Sequence, residues 1–342
     1  MFGRSASPPL LSLALQGGGA HGAFTWGVLD ALLEAGCFHF DGLSGSSAGA
    51  MNAVAVAHGL ACGGPDQARA TLADFWQRVG VSLPPEMVQP LRAPDDVSMP
   101  PGLQLALQFT RWFSPYQLNP LDYNPLRAII DDLFDFERIR ASSPVKVFVA
   151  ATRANSGRLR LFDNRTLSAD ALLASACLPS LQQAVTIDGE DYWDGGFSAN
   201  PAIFPLIRFC RTKDILLVLL APMEHGETPR SAEDIRQRVL NLSFNSAFLR
   251  EMRLFALLRD MAGESRFLRG RLERRLLATR FHMIEAEDLL SELDASSQAL
   301  AHAPFLHWLR DAGRGRAQAW LVRHGVKVGQ SSSVDIRALF FA

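Results

Sequence analysis

Asp41-Gly42-Leu43-Ser44-Gly45-Ser46-Ser47-Ala48-Gly49-Ala50-Met51-Asn52-Ala53 is the stretch on which the reading of this sequence turns. Ahead of its centre, residues 38–43 suit a short strand. Behind it, residues 48–60 are rich in alanine and suit a helix. Between them Gly45, Ser47 and Gly49 fall in the spacing Gly-x-Ser-x-Gly. A serine on a sharp strand-to-helix turn needs small residues two positions to either side, because larger side chains would collide there. A helix starting at residue 48 also directs backbone N–H groups and its positive end toward Ser47. The same pattern arises in a small-residue turn that only lets a helix pack on a strand. Ser44 and Ser46 are rival serines off the centre of the motif.

Working outward toward the N-terminus, residues 11–15 are an apolar run apt for a buried parallel strand. Gly17-Gly18-Gly19-Ala20-His21-Gly22 follows as a glycine-rich turn. Residues 23–35 then carry Phe24, Val28, Leu29, Leu32 and Leu33 at helical spacing, with Gly36 as a stop. Two functional readings of this turn compete. It matches Gly-x-Gly-x-x-Gly, the dinucleotide-binding fingerprint, and Asp41 falls near the ribose-binding distance. It also offers unencumbered backbone N–H groups of the kind that stabilise an oxyanion.

A third turn decides between them. Asp194-Gly195-Gly196-Phe197-Ser198-Ala199-Asn200-Pro201 follows the strand-like residues 191–193. Taken alone, an aspartate before two glycines is ordinary turn chemistry. Three small-residue turns near strand ends are a different matter, because open α/β sheets place their sites there. A dinucleotide enzyme has no use for the second and third turns. Strands alternating with helices over this span imply a parallel sheet covered by helices.

The runs LALQGGGAHGAFTWGVLDALLEAG, DGLSGSSAGAMNA, ASACLPS and DGGFSANPAI resemble a patatin-like phospholipase in order and spacing, over most of residues 11–221. The resemblance implies a three-layer α/β/α fold with a mostly parallel central sheet. It also implies hydrolysis of lipid acyl esters by a Ser–Asp dyad, without metal or cofactor. Carried onto this chain, Ser47 is the nucleophile, Asp194 its base, and Gly18 and Gly19 the oxyanion donors. Gly17, Gly22, Gly45, Gly49, Gly195 and Gly196 support the turns. The family commonly has arginine where this chain has His21, which exchanges a permanent cation for a titratable group. The implied organisation is a catalytic domain over 8–225, with an insertion or lid at 84–125. A mainly helical region, 226–342, packs on it. A non-catalytic lipid-binding protein on the same fold is the alternative, and a dinucleotide-binding oxidoreductase a more distant one.

The remainder of the chain narrows the partners. A length of 342 residues, 48% hydrophobic and 20% charged, is that of a globular protein, and a net charge of −1 gives no field favouring nucleic acid. Cys37, Cys62, Cys177 and Cys210 are scattered among apolar or small neighbours, as reduced, partly buried thiols would be. No metal-ligand motif stands out. No run reaches the roughly 18 apolar residues of a membrane span, and the N-terminus does not read as a signal peptide, so a cytoplasmic protein with at most peripheral membrane contact is expected. Residues 103–113 are one candidate contact or lid. The stripe Phe244, Phe248, Met252, Phe255 and Leu258 is another, with Arg250, Arg253, Arg259, Arg266, Arg269, Arg271, Arg274, Arg275 and Arg280 nearby. It reads either as a basic surface for anionic lipid or as the core face of a helix. A Ser-His-Asp triad would draw its histidine from His225, His282, His302, His307 or His324, none in a telling context.

Overall fold

The computed structural model describes residues 8–81, 112–224, 226–264, 270–291, 293 and 295–340. Most of the insertion read at 84–125, most of 103–113, and His225, Arg266 and Arg269 lie outside these residues.

Strand β1 (Leu10–Leu15) pairs in parallel with β2 (His39–Gly45) on one side and with β7 (Asp214–Leu219) on the other. β3 (Lys146–Arg153) extends the parallel set beyond β2, and β8 (Arg280–Glu285) extends it beyond β7. The remaining strands are antiparallel. β4 (Leu159–Asp163) and β6 (Glu190–Asp194) both pair with β3, and β5 (Val185–Ile187) pairs with β6. The sheet runs β5-β6-β3-β2-β1-β7-β8, with β4 attached to β3 off that path.

The alternation of side chains along β7 shows why the fold has three layers. Leu216, Val218 and Leu220 enter the core on one face, and Ile215, Leu217 and Leu219 enter that on the other. A strand apolar at both parities must be covered on both sides. The larger core is closed by α1 (Gly22–Ala35), α2 (Ala48–Gly63), α3 (Pro65–Val81), α5 (Pro125–Leu133), α6 (Phe136–Ser142), α7 (Ala169–Ser175) and α12 (Ala303–His324). α8 (Phe204–Phe209), α9 (Ala232–Glu264), α10 (Arg271–Ala278) and α13 (Ile336–Phe340) close the other. Two short helices, α4 (Pro115–Leu118) and α11 (Glu287–Leu290), complete the set.

Helix α1 stops where expected, at Gly36, whose φ of 60° is left-handed. Ser168 caps α7 by accepting from the Ala171 N–H. One stretch departs from the helical reading of the C-terminal third. Residues 280–285 form β8, because a short mixed run without flanking glycine or proline fits strand and helix equally until a neighbouring strand edge selects one.

The aromatic stripe of α9 turns inward. Phe248, Met252 and Phe255 are buried in the second core and Leu258 packs against it, so this face is not a lipid-binding surface. Arg275 donates to the carbonyls of Ile207, Cys210 and Arg211, and Arg280 pairs with buried Asp214, so neither of these two is a surface cation waiting for lipid. All four cysteines are free. Cys177 and Cys210 are buried, but Cys37 and Cys62 are exposed, which corrects the expectation of partly buried thiols for that pair. Among the described residues no helix is long and apolar enough to cross a membrane.

Candidate active site

The carboxyl ends of β1, β2 and β7 meet in register, Leu15 lying beside both Gly45 and Val218. The glycine turn leaves β1 there and the serine turn leaves β2. Asp194 ends β6, opposite Ala151 of β3. The fold therefore brings the three turns to one edge of the sheet, the edge where open α/β sheets hold ligands.

Ser47 precedes α2 with φ 53° and ψ −125°, a conformation an L-residue rarely adopts unless its surroundings enforce it. The flanking glycines are part of that enforcement. A Cβ on Gly45 would run into the backbone of Gly49, and one on Gly49 would run into the Leu15 carbonyl. The Ser47 N–H donates to Ser175 Oγ at 3.0 Å, and Ser46 Oγ donates to the Ala199 carbonyl, fastening this turn to the one that follows Asp194. Ser47 itself is half-buried, whereas Ser44 and Ser46 are sealed from solvent.

Asp194 is completely buried. Its backbone is held on both sides, the N–H by the Cys177 carbonyl at 2.8 Å and the carbonyl by Thr152 Oγ1 at 2.8 Å. Oδ1 accepts the Gly196 N–H at 2.7 Å, and Oδ2 makes no hydrogen bond. Burial pushes the carboxyl up to about 7, while the Gly196 N–H and the neighbouring Ser47 hydroxyl pull it down. The Ser47 hydroxyl thus lies near enough to act on the carboxyl, while Oδ2 itself has no hydrogen-bond partner. Cys177, whose thiol burial and the Asp194 charge push up to about 12, stays neutral beside it.

In the glycine turn the Gly17 N–H is committed to Asn200 Oδ1 at 2.7 Å. The N–H groups of Gly18 and Gly19 take no part in the hydrogen bonding of the turn, and Gly19 is exposed. Gly22 opens α1 with Ala48 packed against it, and Gly195 leaves no room for a side chain over the Ala150 backbone. His21 is buried, shares a 2.7 Å hydrogen bond with Ser297 Oγ, and is pushed down to about 4 by burial. It braces the turn as a neutral ring and supplies no cation.

The dinucleotide reading loses its acidic residue, and two of the triad histidines are engaged elsewhere. Asp41, needed by the dinucleotide reading, is buried and accepts the Arg211 and Thr212 N–H groups near the start of β1, away from the glycine turn. Among the triad candidates, His282 pairs with Asp214 and Ser333, and His307 lies against Trp26. His302 precedes α12 and His324 ends it. Asp214 itself is pushed up by burial, but bonds from Arg280, His282 and Gly329 outweigh this and hold it well below the usual range. Among the described residues no group of three or more His, Cys, Asp or Glu side chains is placed to hold a metal ion.

Sequence reasoning missed the residues that tie the turns together. Gln16 Oε1 accepts the Leu220 and Ala221 N–H groups at 2.6 and 2.8 Å, and its Nε2 donates to the Asn200 carbonyl at 3.3 Å. Gln16 and Asn200 are polar residues inside the quoted motifs, a signal that could have been read. Ser175 also lies in a quoted motif, ASACLPS, but only folding brings it under Ser47.

An acid whose pKa rises on folding weakens the fold as pH climbs from its unfolded value, about 4, to its folded value near 7. Asp194→Asn removes that titration. The variant is expected to gain stability over the wild type through this window and to keep the gain at pH 8. Urea unfolding at pH 4, 6 and 8 measures it, and parallel pH profiles for the two proteins would contradict the burial account.

The family model for patatin-like phospholipase matches residues 13–207, more than half of the chain. No curated protein matches the chain. Among solved structures, VipD from Legionella pneumophila is similar with a TM-score of 0.41 and 15% identity, over 92% of this chain and 67% of that one. On the strength of the family match, this chain belongs to the patatin-like phospholipases.

Proposed function

We propose that the protein hydrolyses carboxylic esters of lipids through an acyl-serine intermediate, with Ser47 as nucleophile and Asp194 as general base. The observation that carries this is the pairing of a strained, half-buried Ser47 with a wholly buried carboxyl raised to about 7. A serine hydroxyl is a poor nucleophile until a base takes its proton, and an ordinary aspartate, with a pKa of about 3.9, is too weak for that at neutral pH. Desolvation makes Asp194 basic enough to serve without a histidine.

Ser47 Oγ attacks the ester carbonyl carbon as its proton passes to Asp194. The tetrahedral oxyanion is held by the Gly18 and Gly19 N–H groups. Collapse breaks the bond to the alcohol oxygen, which leaves with the proton from Asp194. Water then attacks the acyl-Ser47 carbonyl, giving its proton to Asp194, and Ser47 recovers a proton as the acid departs. A non-catalytic lipid-binding role would have no use for a carboxyl desolvated at this cost.

Hydrolysis of p-nitrophenyl esters in the presence of chelator tests the reading. Ser47→Ala and Asp194→Asn are each expected to lose about a thousandfold or more in kcat. Wild-type kcat/KM should fall as pH drops below about 7, where Asp194 takes up its proton. Undiminished activity in either variant would remove that residue from the mechanism.

The substrate class calls for peripheral contact with lipid, and we place it on residues 112–123. Trp112 is 84% exposed, Leu121 90% and Tyr123 75%, aromatic and apolar side chains of the kind that settle at a bilayer interface. This segment abuts the site, since Gln183 Nε2 donates to the Asn119 carbonyl at 2.7 Å and Cys177 Sγ to the Gln183 carbonyl at 3.0 Å. Leu121→Asp combined with Tyr123→Asp should reduce co-sedimentation with phosphatidylcholine vesicles while leaving hydrolysis of a short soluble ester unchanged. Equal vesicle binding by variant and wild type would exclude this surface.

A further inference from the structure

Helix α9 lies outside residues 13–207, yet it reaches the site from behind at three points. Asn245 is buried, and its Oδ1 accepts from Gln16 Nε2 at 2.9 Å. That bond fixes the amide of Gln16, whose opposite end carries the Leu220 and Ala221 N–H groups and whose Nε2 also reaches the Asn200 carbonyl. Asn200 in turn receives the Gly17 N–H. One buried amide network thus joins the turn bearing Gly18 and Gly19 to the turn that begins at Asp194, and Asn245 is its member on α9.

The neighbouring residue works on the same turn. The Phe244 ring packs on Phe197 with centroids 4.6 Å apart and fills the space where a Cβ on Gly196 would lie. Gly196 is the residue whose N–H meets Asp194 Oδ1. Two turns of helix further on, the Glu251 carboxylate accepts the Ile203 N–H at 3.1 Å and the Phe204 N–H at 2.6 Å. Burial pushes Glu251 up to about 7, with those two N–H groups pulling it down. The segment 194–204 is therefore held at both ends by one rigid helix.

We propose that Asn245 is a positioning residue for the dyad and its oxyanion donors. It acts through Gln16 and Asn200 to set the distance between the glycine turn and Asp194. Acylation requires the carbonyl carbon, its oxygen and the Ser47 proton to meet their partners at once, so a small drift of one turn is paid in rate rather than in affinity. Because Asn245 is buried behind the turns, KM should be little affected. This inference rests on the dyad reading above.

The test is steady-state kinetics on a soluble p-nitrophenyl ester by the full chain, with thermal unfolding measured alongside. Asn245→Leu keeps the size of the side chain and removes the acceptor; Asn245→Ala is the second variant if leucine is not accommodated. A folded variant is expected to lose about 10- to 100-fold in kcat with KM held within about threefold. In a Gln16→Ala background the same substitution should cost less than about threefold more, because the path it acts through is already cut. A purely structural role would instead add its full effect in both backgrounds. Unchanged kcat, or equal losses with and without Gln16, would overturn the positioning role. Ser47→Ala, run in parallel, separates the two claims. If it is inactive and Asn245→Leu is fully active, only the positioning role falls. If Ser47→Ala keeps the wild-type rate, both fall together.

Discussion

Everything at this site depends on one unfavourable act, the removal of the Asp194 carboxyl from water. A carboxylate left without solvent is costly, and it escapes most of that cost by holding its proton up to about pH 7. One oxygen is steadied by the Gly196 N–H, and the other is left without a bond. A group arranged this way weakens the fold as pH climbs from about 4 to about 7. The surrounding structure must be rigid enough to keep it there: Thr152 and Cys177 grip its backbone, and the Ser46 hydroxyl binds the serine turn to the residues that follow it. The strain at Ser47 belongs to the same arrangement, since a left-handed serine persists only where its neighbours leave no alternative.

Much of this was legible in the sequence because local rules and global fold agree there. The strand-turn-helix units at 11–35 and 38–60 carry apolar runs, glycine punctuation and helical periodicity that point the same way. The chemistry-bearing turns stood out because glycine, serine and aspartate cluster at predicted strand ends. Other features left no such mark. β8 has a sequence as compatible with helix as with strand, and only the free edge of β7 selects its form. The stripe on α9 has the period of any amphipathic helix, and nothing in its spacing says whether core or lipid covers it. His21 reads in the sequence as a titratable group where the family has arginine, but that burial keeps it neutral, and that its partner is Ser297, far away in sequence, shows only on folding.

The polar network behind the turns is the clearest case of information that appears only on folding. Gln16, Asn200 and Asn245 are ordinary amides in the sequence, separated by long stretches of chain. Packed together they satisfy one another in a space closed to water, where an unpaired amide would cost about 1–3 kcal/mol. Such a network tolerates few arrangements, and this makes it suitable for fixing the separation of the glycine turn and the Asp194 turn. It also links the C-terminal third of the chain to the site. That third contributes an edge strand, a helix beneath the Asp194 turn, and the residue that braces the glycine turn.

In the proposed mechanism a buried aspartate alone activates Ser47. The most direct measurement is the rate at which a fluorophosphonate labels the protein as a function of pH, with the labelled residue located by peptide mass spectrometry. A single adduct on Ser47 is expected, forming at a rate that climbs to a plateau above about pH 7 and collapses in Asp194→Asn. Labelling of another residue, or a rate on Ser47 that ignores Asp194 and falls instead on loss of a histidine, would contradict it.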